Sequence, residues 1–186
     1  HCHLDFPDLA ADRAGVLARA AAAGVSGMVT ISTRVKRYDE ITAIAEAHNN
    51  VWCSVGTHPH NAHEELDVTA DDLVGLSQHP RCVAIGEAGL DYHYEGDYAA
   101  QETGFRRHIA AARITGLPLI IHSRSADADM AKLLEEETGA GGPFPFVLHC
   151  YTGGIELARR GLALGGYLSF SGIVTFKNAA EIQQAA

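Results

Sequence analysis

The sequence predicts an α/β fold of alternating parallel strands and helices, and it favours a TIM-type (β/α)8 barrel. Short apolar runs alternate with segments of helical spacing along all 186 residues. The predicted strand ends follow one another at intervals of roughly 30 residues, the size of one strand–helix unit. Histidine or glutamate stands at five of these ends, and in a barrel the carboxyl ends of all strands converge on one mouth. An open sheet would spread the same side chains along an edge.

The central strand is predicted over 82–87, where the apolar run CVAI meets Gly86 and then Glu87. Its length and β-branched residues are typical of a buried parallel strand, and Gly86 is interpreted as a break that ends the apolar run. Further strands are predicted on the same grounds at 27–32, 51–58, 117–122, 146–151 and 166–172, after the tail of a first strand. The seven predicted strand ends fall near His3, Thr33, His58, Glu87, His122, His149 and Gly172.

Helices are predicted between the strands from apolar residues spaced three and four positions apart. Thr69 followed by Asp72 is typical of a capping box, and Gly24 and Gly116 follow the ends of two helices. The predicted helices cover 8–23, 35–48, 69–79, 99–115, 127–138, 155–164 and 178–186. About seven of the eight units of a barrel are therefore visible. We expect a single barrel domain over 1–186, incomplete at both ends.

Composition restricts the class of protein. The hydrophobic fraction of 47% is sufficient for a real core, and the net charge of −9 argues against broad, charge-driven binding to nucleic acid or membranes. Bound divalent cations reverse the charge of a pocket, so a nuclease is still allowed. No apolar stretch approaches the roughly 20 residues that cross a bilayer, and no signal peptide is recognisable. The four scattered cysteines are typical of reduced thiols, which predicts a cytoplasmic protein.

Five residues at strand ends form a candidate metal-binding set. His1 and His3 lie two apart, so on a strand they point to the same face, and Glu87, His122 and His149 end three other strands. Imidazole and carboxylate ligands suit zinc, manganese, nickel or iron, and a bridging carboxylate suits two ions about 3.5–4 Å apart. Each residue alone has an ordinary explanation, such as a hydrogen-bonded core histidine. Such explanations would have to coincide at several regular strand ends.

Five segments resemble the TatD-type metal-dependent deoxyribonucleases, which belong to the amidohydrolase-like barrels. They run in order through the chain as HCHLD (1–5), GTHPH (56–60), GEAGLDY (86–92), HSR (122–124) and HCYTG (149–153). The resemblance implies a divalent-metal-dependent hydrolase, most specifically a 3′-5′ exodeoxyribonuclease that prefers single-stranded DNA. It implies two ions of magnesium, manganese or zinc. His1 and His3 would bind one ion, Glu87 would bridge both, and His122 and His149 would bind the second.

The resemblance has two departures. The family carries a further carboxylate in a motif like ETDAPY at the end of its last strand, and no such motif occurs within 1–186. That ligand is expected beyond Ala186. Ser125 stands where the family often has aspartate after the arginine of its HxR segment.

Besides the bridging Glu87, two residues are assigned catalytic roles in phosphodiester hydrolysis. Arg124, two residues past a predicted ligand, is expected to grip a phosphate oxygen, with a surface ion pair as its alternative. His60 is expected to donate to the phosphate or to protonate the leaving group. For His58, a structural role and the support of a ligand remain equally open.

Other polar residues near the predicted ligands are given supporting or solvent roles. Asp5 and Asp91 are expected to orient a ligand or to cap a turn. Tyr92, Tyr94 and Tyr98 either stack on bases or pack within their loop. The remaining histidines are interpreted as solvated: His48, His63, His79, His93 and His108.

Two other functions remain open. A barrel hydrolase of a small amide, ester or lactone uses the same metal chemistry, but such relatives often carry a lysine as the bridge where this chain has Glu87. A non-catalytic metal-binding or scaffolding protein is the second alternative. The expected partner is a DNA substrate rather than a membrane, and the sequence makes no prediction of oligomeric state.

Overall fold

A computed structural model describes residues 1–186 and contains one parallel sheet of six strands in sequential order. Cys2 forms an isolated parallel bridge with Thr30, so the first residues of the chain lie beside the first strand. Sequential, parallel neighbours are the topology of a (β/α) barrel, and the predicted fold class is confirmed. The strands are β1 (Met28–Thr30), β2 (Val51–Val55), β3 (Cys82–Asp91), β4 (Leu119–Arg124), β5 (Phe146–Leu148) and β6 (Tyr167–Leu168).

The helices follow the predicted order with shifted ends. The region 8–23 forms two helices because the side chain of Asp12 accepts a hydrogen bond from the backbone N–H of Gly15 and so caps a second one. The capping box of Thr69 and Asp72 is formed as predicted. None of the helices is both long and apolar enough to cross a membrane. The helices are α1 (Pro7–Ala10), α2 (Arg13–Ala22), α3 (Tyr38–Glu46), α4 (Ala70–Leu76), α5 (Tyr98–Thr115), α6 (Asp127–Gly141), α7 (Ile155–Ala163) and α8 (Ala180–Ala185).

Apolar side chains divide between the two faces of the sheet. In β4, Leu119 and Ile121 belong to a core cluster of 32 buried residues that includes side chains of the helices, whereas Ile120 packs with Ile31 and Ala84 in a separate cluster. This alternation with a period of two is typical of a barrel wall. His122 follows Ile120 by two positions and therefore shares its face.

The central strand β3 continues to Asp91, past the predicted end at Glu87, so the interpretation of Gly86 as a break was wrong. A Cβ atom on Gly89 would lie 2.0 Å from the carbonyl oxygen of His122, and one on Gly86 would lie 2.6 Å from that of Ile120. Both glycines also have positive φ, at 150° and 109°. The two glycines therefore allow β3 to lie close to the backbone of β4, and they do not end the strand.

Glu87 lies at an irregularity of this strand. The pairing of β3 with β4 shifts between Gly86 and Ala88, which leaves Glu87 without a partner in the ladder. Its backbone N–H donates instead to the carbonyl oxygen of Ser32 at 3.2 Å. A bulge of this kind re-aims a side chain relative to its strand. It allows a carboxylate to stand among the side chains at the carboxyl edge of the sheet.

Candidate metal centre

The carboxylate of Glu87 lies at the centre of the site, and all its ion-pair partners are histidines. Its side chain is 4% exposed; Oε2 lies 3.3 Å from Nε2 of His1 and 3.9 Å from Nε2 of His3. Oε1 lies 3.1 Å from Nδ1 of His122. Burial alone would raise the pKa of Glu87, but the hydrogen bond from His122 and the surrounding imidazoles outweigh burial and lower it. Glu87 is therefore a buried anion.

His149 lies on the same side of Glu87 as His1. The two imidazole rings are stacked, with centroids 3.5 Å apart and planes at 2°. One ligand atom from each of His1, Glu87 and His149 lies within 4.8 Å of the others, which is close enough to share an ion. Burial lowers the pKa of His149, which favours the neutral imidazole that binds metals. The family resemblance pairs His149 with His122, whereas here its ring lies against His1.

His122 stands between two carboxylates. Its Nδ1 faces Glu87, and its Nε2 donates to Oδ2 of Asp91 at 2.9 Å. Burial alone would lower the pKa of His122, but the two carboxylates outweigh burial and raise it. Asp91 is 1% exposed, and its Oδ2 also lies 2.9 Å from Nε2 of His60. These contacts agree with the expected orienting role of Asp91 and extend it to His60.

The backbone of Asp91 is held by Gln101, a residue that the sequence analysis missed. The side-chain oxygen of Gln101 accepts from the N–H of Asp91 at 2.8 Å, and its amide nitrogen donates to the carbonyl of Asp91 at 3.1 Å. Gln101 is buried on α5, where it shares one face with Phe105 and His108. That spacing of four and seven positions was the only signal available in the sequence.

His58 faces the centre but is better placed to donate a hydrogen bond through Nε2 than to bind a metal through it. Its Nε2 lies 3.3 Å from Nδ1 of His122, and both atoms lie within 4.8 Å of a carboxylate oxygen of Glu87. However, the backbone N–H of His60 donates to Nδ1 of His58 at 3.2 Å. Burial lowers the pKa of His58 to about 3, so the ring is neutral and carries its proton on Nε2. We therefore leave His58 outside the candidate ligands.

Arg124 and Asp5 lie beside the centre without direct contact to Glu87. The exposed guanidinium of Arg124 lies 5.3 Å from the centre of the Tyr94 ring and forms no ion pair, in contrast to the alternative of a surface ion pair. Oδ1 of Asp5 and Nδ1 of His3 are buried without a hydrogen-bond partner. The expected orienting contact of Asp5 is therefore not formed through this atom.

A second buried cluster supports the segment that carries His58 and His60. The backbone N–H of Thr57 donates to Nε2 of His108 at 3.0 Å, and the Thr57 hydroxyl donates to the carboxylate of Glu65. The interpretation of His108 as solvated was wrong, because its side chain faces the sheet and is almost fully buried. Of the other histidines in that group, His63 and His93 are exposed, and His48 and His79 are half-buried.

The donor set of the site fits divalent metal ions. A buried anion meets imidazoles from four separate segments, and carboxylate with imidazole is the ligand chemistry of zinc, manganese and related ions. A parallel barrel sheet with such a set at its carboxyl edge is typical of a metal-dependent hydrolase. Residues 1–186 match the family described as TatD related DNase, and the chain belongs to this family. The resemblance noted in the sequence is confirmed.

Individual relatives agree with the family. The uncharacterised metal-dependent hydrolase YcfH of Escherichia coli K12 is 41% identical over 100% of this chain and 70% of its own length. The crystal structure of YjjV, a TatD homologue from Escherichia coli K12, superposes with a TM-score of 0.88 and 28% identity over 100% of this chain and 71% of that one. A relative from Cronobacter turicensis, 38% identical over 88% of this chain and 62% of its own length, is named a 3′-5′ ssDNA/RNA exonuclease.

Proposed function

We propose that this protein is a 3′-5′ exodeoxyribonuclease that hydrolyses phosphodiester bonds at single-stranded DNA ends with the help of two divalent ions. The observation that carries the proposal is the buried, ionised Glu87 with imidazoles on both sides. A single structural ion pair would not need imidazoles from several strands around one carboxylate. The exonuclease name of the Cronobacter relative supports the choice of substrate.

Five residues would hold the ions. His1, His3 and His149 stand on one side of Glu87 and His122 on the other, so Glu87 would lie between two ions of magnesium, manganese or zinc. When bound, two such ions activate a water and offset the charge of the phosphate. His122 must release a proton to bind a metal, and its raised pKa therefore makes metal affinity weaker in acid.

Two further residues would act on the substrate itself. The unpaired guanidinium of Arg124 is free to donate to a phosphate oxygen, as expected for a bidentate donor. His60 is held by Asp91 through Nε2 and is 43% exposed, so it can meet the leaving oxygen and supply a proton to it. His58 is neutral, so near the same position it would donate a hydrogen bond from Nε2 without transferring a proton.

The test uses the intact protein, stripped of metal and then given Mg²⁺, Mn²⁺ or Zn²⁺ with end-labelled single-stranded DNA or RNA. Metal-dependent shortening from the 3′ end is the expected result, and Glu87→Ala should abolish it. A Glu156→Ala variant is a suitable control, because Glu156 pairs only with exposed Arg159 on α7.

Three results would contradict the proposal. Shortening from the 5′ end would refute the direction of cleavage. Intact nucleic acid with every metal, together with cleavage of a generic ester or lactone, would instead favour a small-molecule hydrolase. Inertness towards all substrates would leave metal binding without catalysis.

A further inference from the structure

His60 separates two grooves at the rim of the candidate metal centre and lines both of them. The first groove measures about 320 Å³, and we call it the arginine groove; besides histidines it is lined by Phe6, Thr33, Arg34, Arg37 and Asn61. The second measures about 240 Å³, and we call it the tyrosine groove; it includes Tyr94, Glu95, Gly96, Asp97 and Gln101. A polymer whose bond is cut at the centre extends away from it in two directions, and each groove can hold one of these two parts.

The arginine groove presents two oriented guanidinium groups. Nε and Nη2 of Arg34 donate to Glu64 at 2.9 and 3.3 Å, and the same two atoms of Arg37 donate to Glu40. Nη1 of each arginine has no acceptor within the protein. No carboxylate lines this groove. Because the carboxylates already fix both side chains, less conformational entropy is lost when Nη1 donates to a phosphate.

An aromatic surface completes the arginine groove. The ring of Phe6 stacks on His3, with centroids 4.5 Å apart, yet 44% of the residue is exposed. Exposed aromatic faces next to cationic groups are the usual stacking sites for the bases of a single strand. The groove therefore combines donors for phosphate with a surface for a base.

The tyrosine groove is acidic and offers no guanidinium donors. Glu95 and Asp97 line it without any lysine or arginine, and Tyr94 is 55% exposed. Two carboxylates repel a phosphate that enters the groove. They do not repel an uncharged sugar and base that carry no further phosphate. The two grooves thus differ in the charge of the group that each accepts.

We propose that the arginine groove binds the part of a single nucleic-acid strand that continues away from the cut, and that the tyrosine groove receives the 3′-terminal nucleoside. This proposal rests on the proposed function. The continuing strand carries a phosphate for every nucleotide, whereas the 3′-terminal nucleoside carries none beyond the phosphate that is cut. The free Nη1 donors of the arginine groove and the carboxylates of the tyrosine groove then orient the strand and set the direction of digestion.

The first experiment compares Arg34→Gln/Arg37→Gln with Arg159→Gln, which removes one exposed arginine on α7, outside both grooves. Binding of a 5′-labelled single-stranded decamer is measured by anisotropy with a chelator present, and kcat and KM are then measured with Mg²⁺. The Kd and KM of the double variant should rise at least about tenfold, and the slope of log K against log salt should fall by about 1.4, the value for two phosphate contacts. A dinucleotide should lose less affinity than the decamer.

Further variants separate charge from folding and test the orientation. Arg34→Lys/Arg37→Lys keeps both charges and should recover most of the decamer binding, while melting temperatures report on the fold. A decamer with a 3′-phosphate should be cut more slowly than one with a 3′-hydroxyl. Glu95→Gln should reduce this discrimination by about two- to fivefold, because it removes one repelling charge.

The outcomes separate the two proposals. If the wild-type protein cuts DNA while Arg34→Gln/Arg37→Gln binds the decamer as Arg159→Gln does, the arginine groove is refuted and the exonuclease stands. If the decamer binds through the arginines but is never cut, the groove stands and the exonuclease fails. Equal cleavage of 3′-phosphate and 3′-hydroxyl ends would overturn the assignment of the tyrosine groove.

Discussion

Glu65 and Glu87 are both buried carboxylates beside histidines, but they are satisfied in different ways. Glu65 is 4% exposed and accepts hydrogen bonds from the backbone N–H groups of Val35 and Lys36, at 2.9 and 2.8 Å, and from the hydroxyl of Thr57. Glu87 is 3% exposed and meets only imidazole side chains and no backbone donor. Burial and a nearby histidine are therefore shared by a structural site and a candidate functional one.

The partners of each carboxylate make the difference. Backbone donors next to Glu65 cannot leave and cannot bind anything else, so that cluster is complete without a ligand. The imidazoles around Glu87 have lone pairs that a cation can use instead. We infer that the kind of donor around a buried acid distinguishes the two roles. Four substitutions test this distinction.

The largest effect is expected for Glu87→Gln. Loss of the central anion should reduce activity by about a thousandfold, equivalent to about 4 kcal/mol of transition-state stabilisation. The metal-free protein should lose some stability, though less than the activity loss implies, because the imidazoles that lower the pKa of Glu87 stabilise its anion in the folded state. Activity, metal content and urea unfolding are measured together. Full metal content with normal activity in the variant would refute the comparison.

Glu65→Gln should have the opposite profile. The amide NH₂ would replace an acceptor with a donor that faces backbone N–H groups, which should cost about 3 kcal/mol in the free energy of unfolding. Metal content should be retained in the folded fraction. Urea unfolding checks the loss, with Glu156→Gln at an exposed ion pair as the control that should cost less than about 1 kcal/mol.

His108→Gln should flatten the pH dependence of stability. Burial lowers the pKa of His108 to about 4 in the folded protein, so below an ordinary pKa of about 6.5 the unfolded chain binds the extra proton. Stability falls as the pH falls through this window. His108 should account for about 2 kcal/mol between about pH 7 and pH 5. Urea unfolding at both pH values measures this contribution. If the free energy of unfolding changes equally with pH in the wild type and in the variant, this expectation is contradicted.

The smallest effect is expected for Asp91→Asn. An asparagine oxygen is a weaker acceptor than a carboxylate for the Nε2 atoms of His60 and His122, so both rings should lose orientation. We expect at least about a tenfold loss in kcat with the fold intact. Asp129→Asn, at an exposed hydrogen bond with Tyr92, serves as the control. Equal kcat values for the two variants would show that Asp91 has no orienting role.

The order and type of the elements were predictable because apolar periodicity and helix caps are local signals. The capping box at Thr69 is one case. The length of β3 was not predictable in the same way, because Gly86 has the same local signature in a break and in a strand that passes close to its neighbour. Only the position of Ile120 in the folded sheet distinguishes the two. Short strands such as β6 were overestimated for a related reason, since the apolar pattern continues past Leu168, where the regular pairing with β5 ends.

The candidate site was predictable only at the level of residue types at strand ends. The sequence predicted that His1, Glu87, His122 and His149 lie at one edge of the sheet. It contained no information about which rings face one another. The stacking of His149 on His1 and the tautomer of His58 depend on three-dimensional contacts. The burial of His108 depends on which face of α5 packs against the sheet.

The close approach of neighbouring strands at their glycines has a consequence for recognising related proteins. A Cβ on Gly56 would lie 2.4 Å from the Cα of Gly86, so these two glycines, together with Gly89, allow the wall behind the site to close. A protein that lost every histidine of the centre would still need these three positions to keep the same wall. The spacing of the three glycines is therefore a fingerprint of the scaffold, independent of the chemistry, and would identify relatives that have lost or changed their activity.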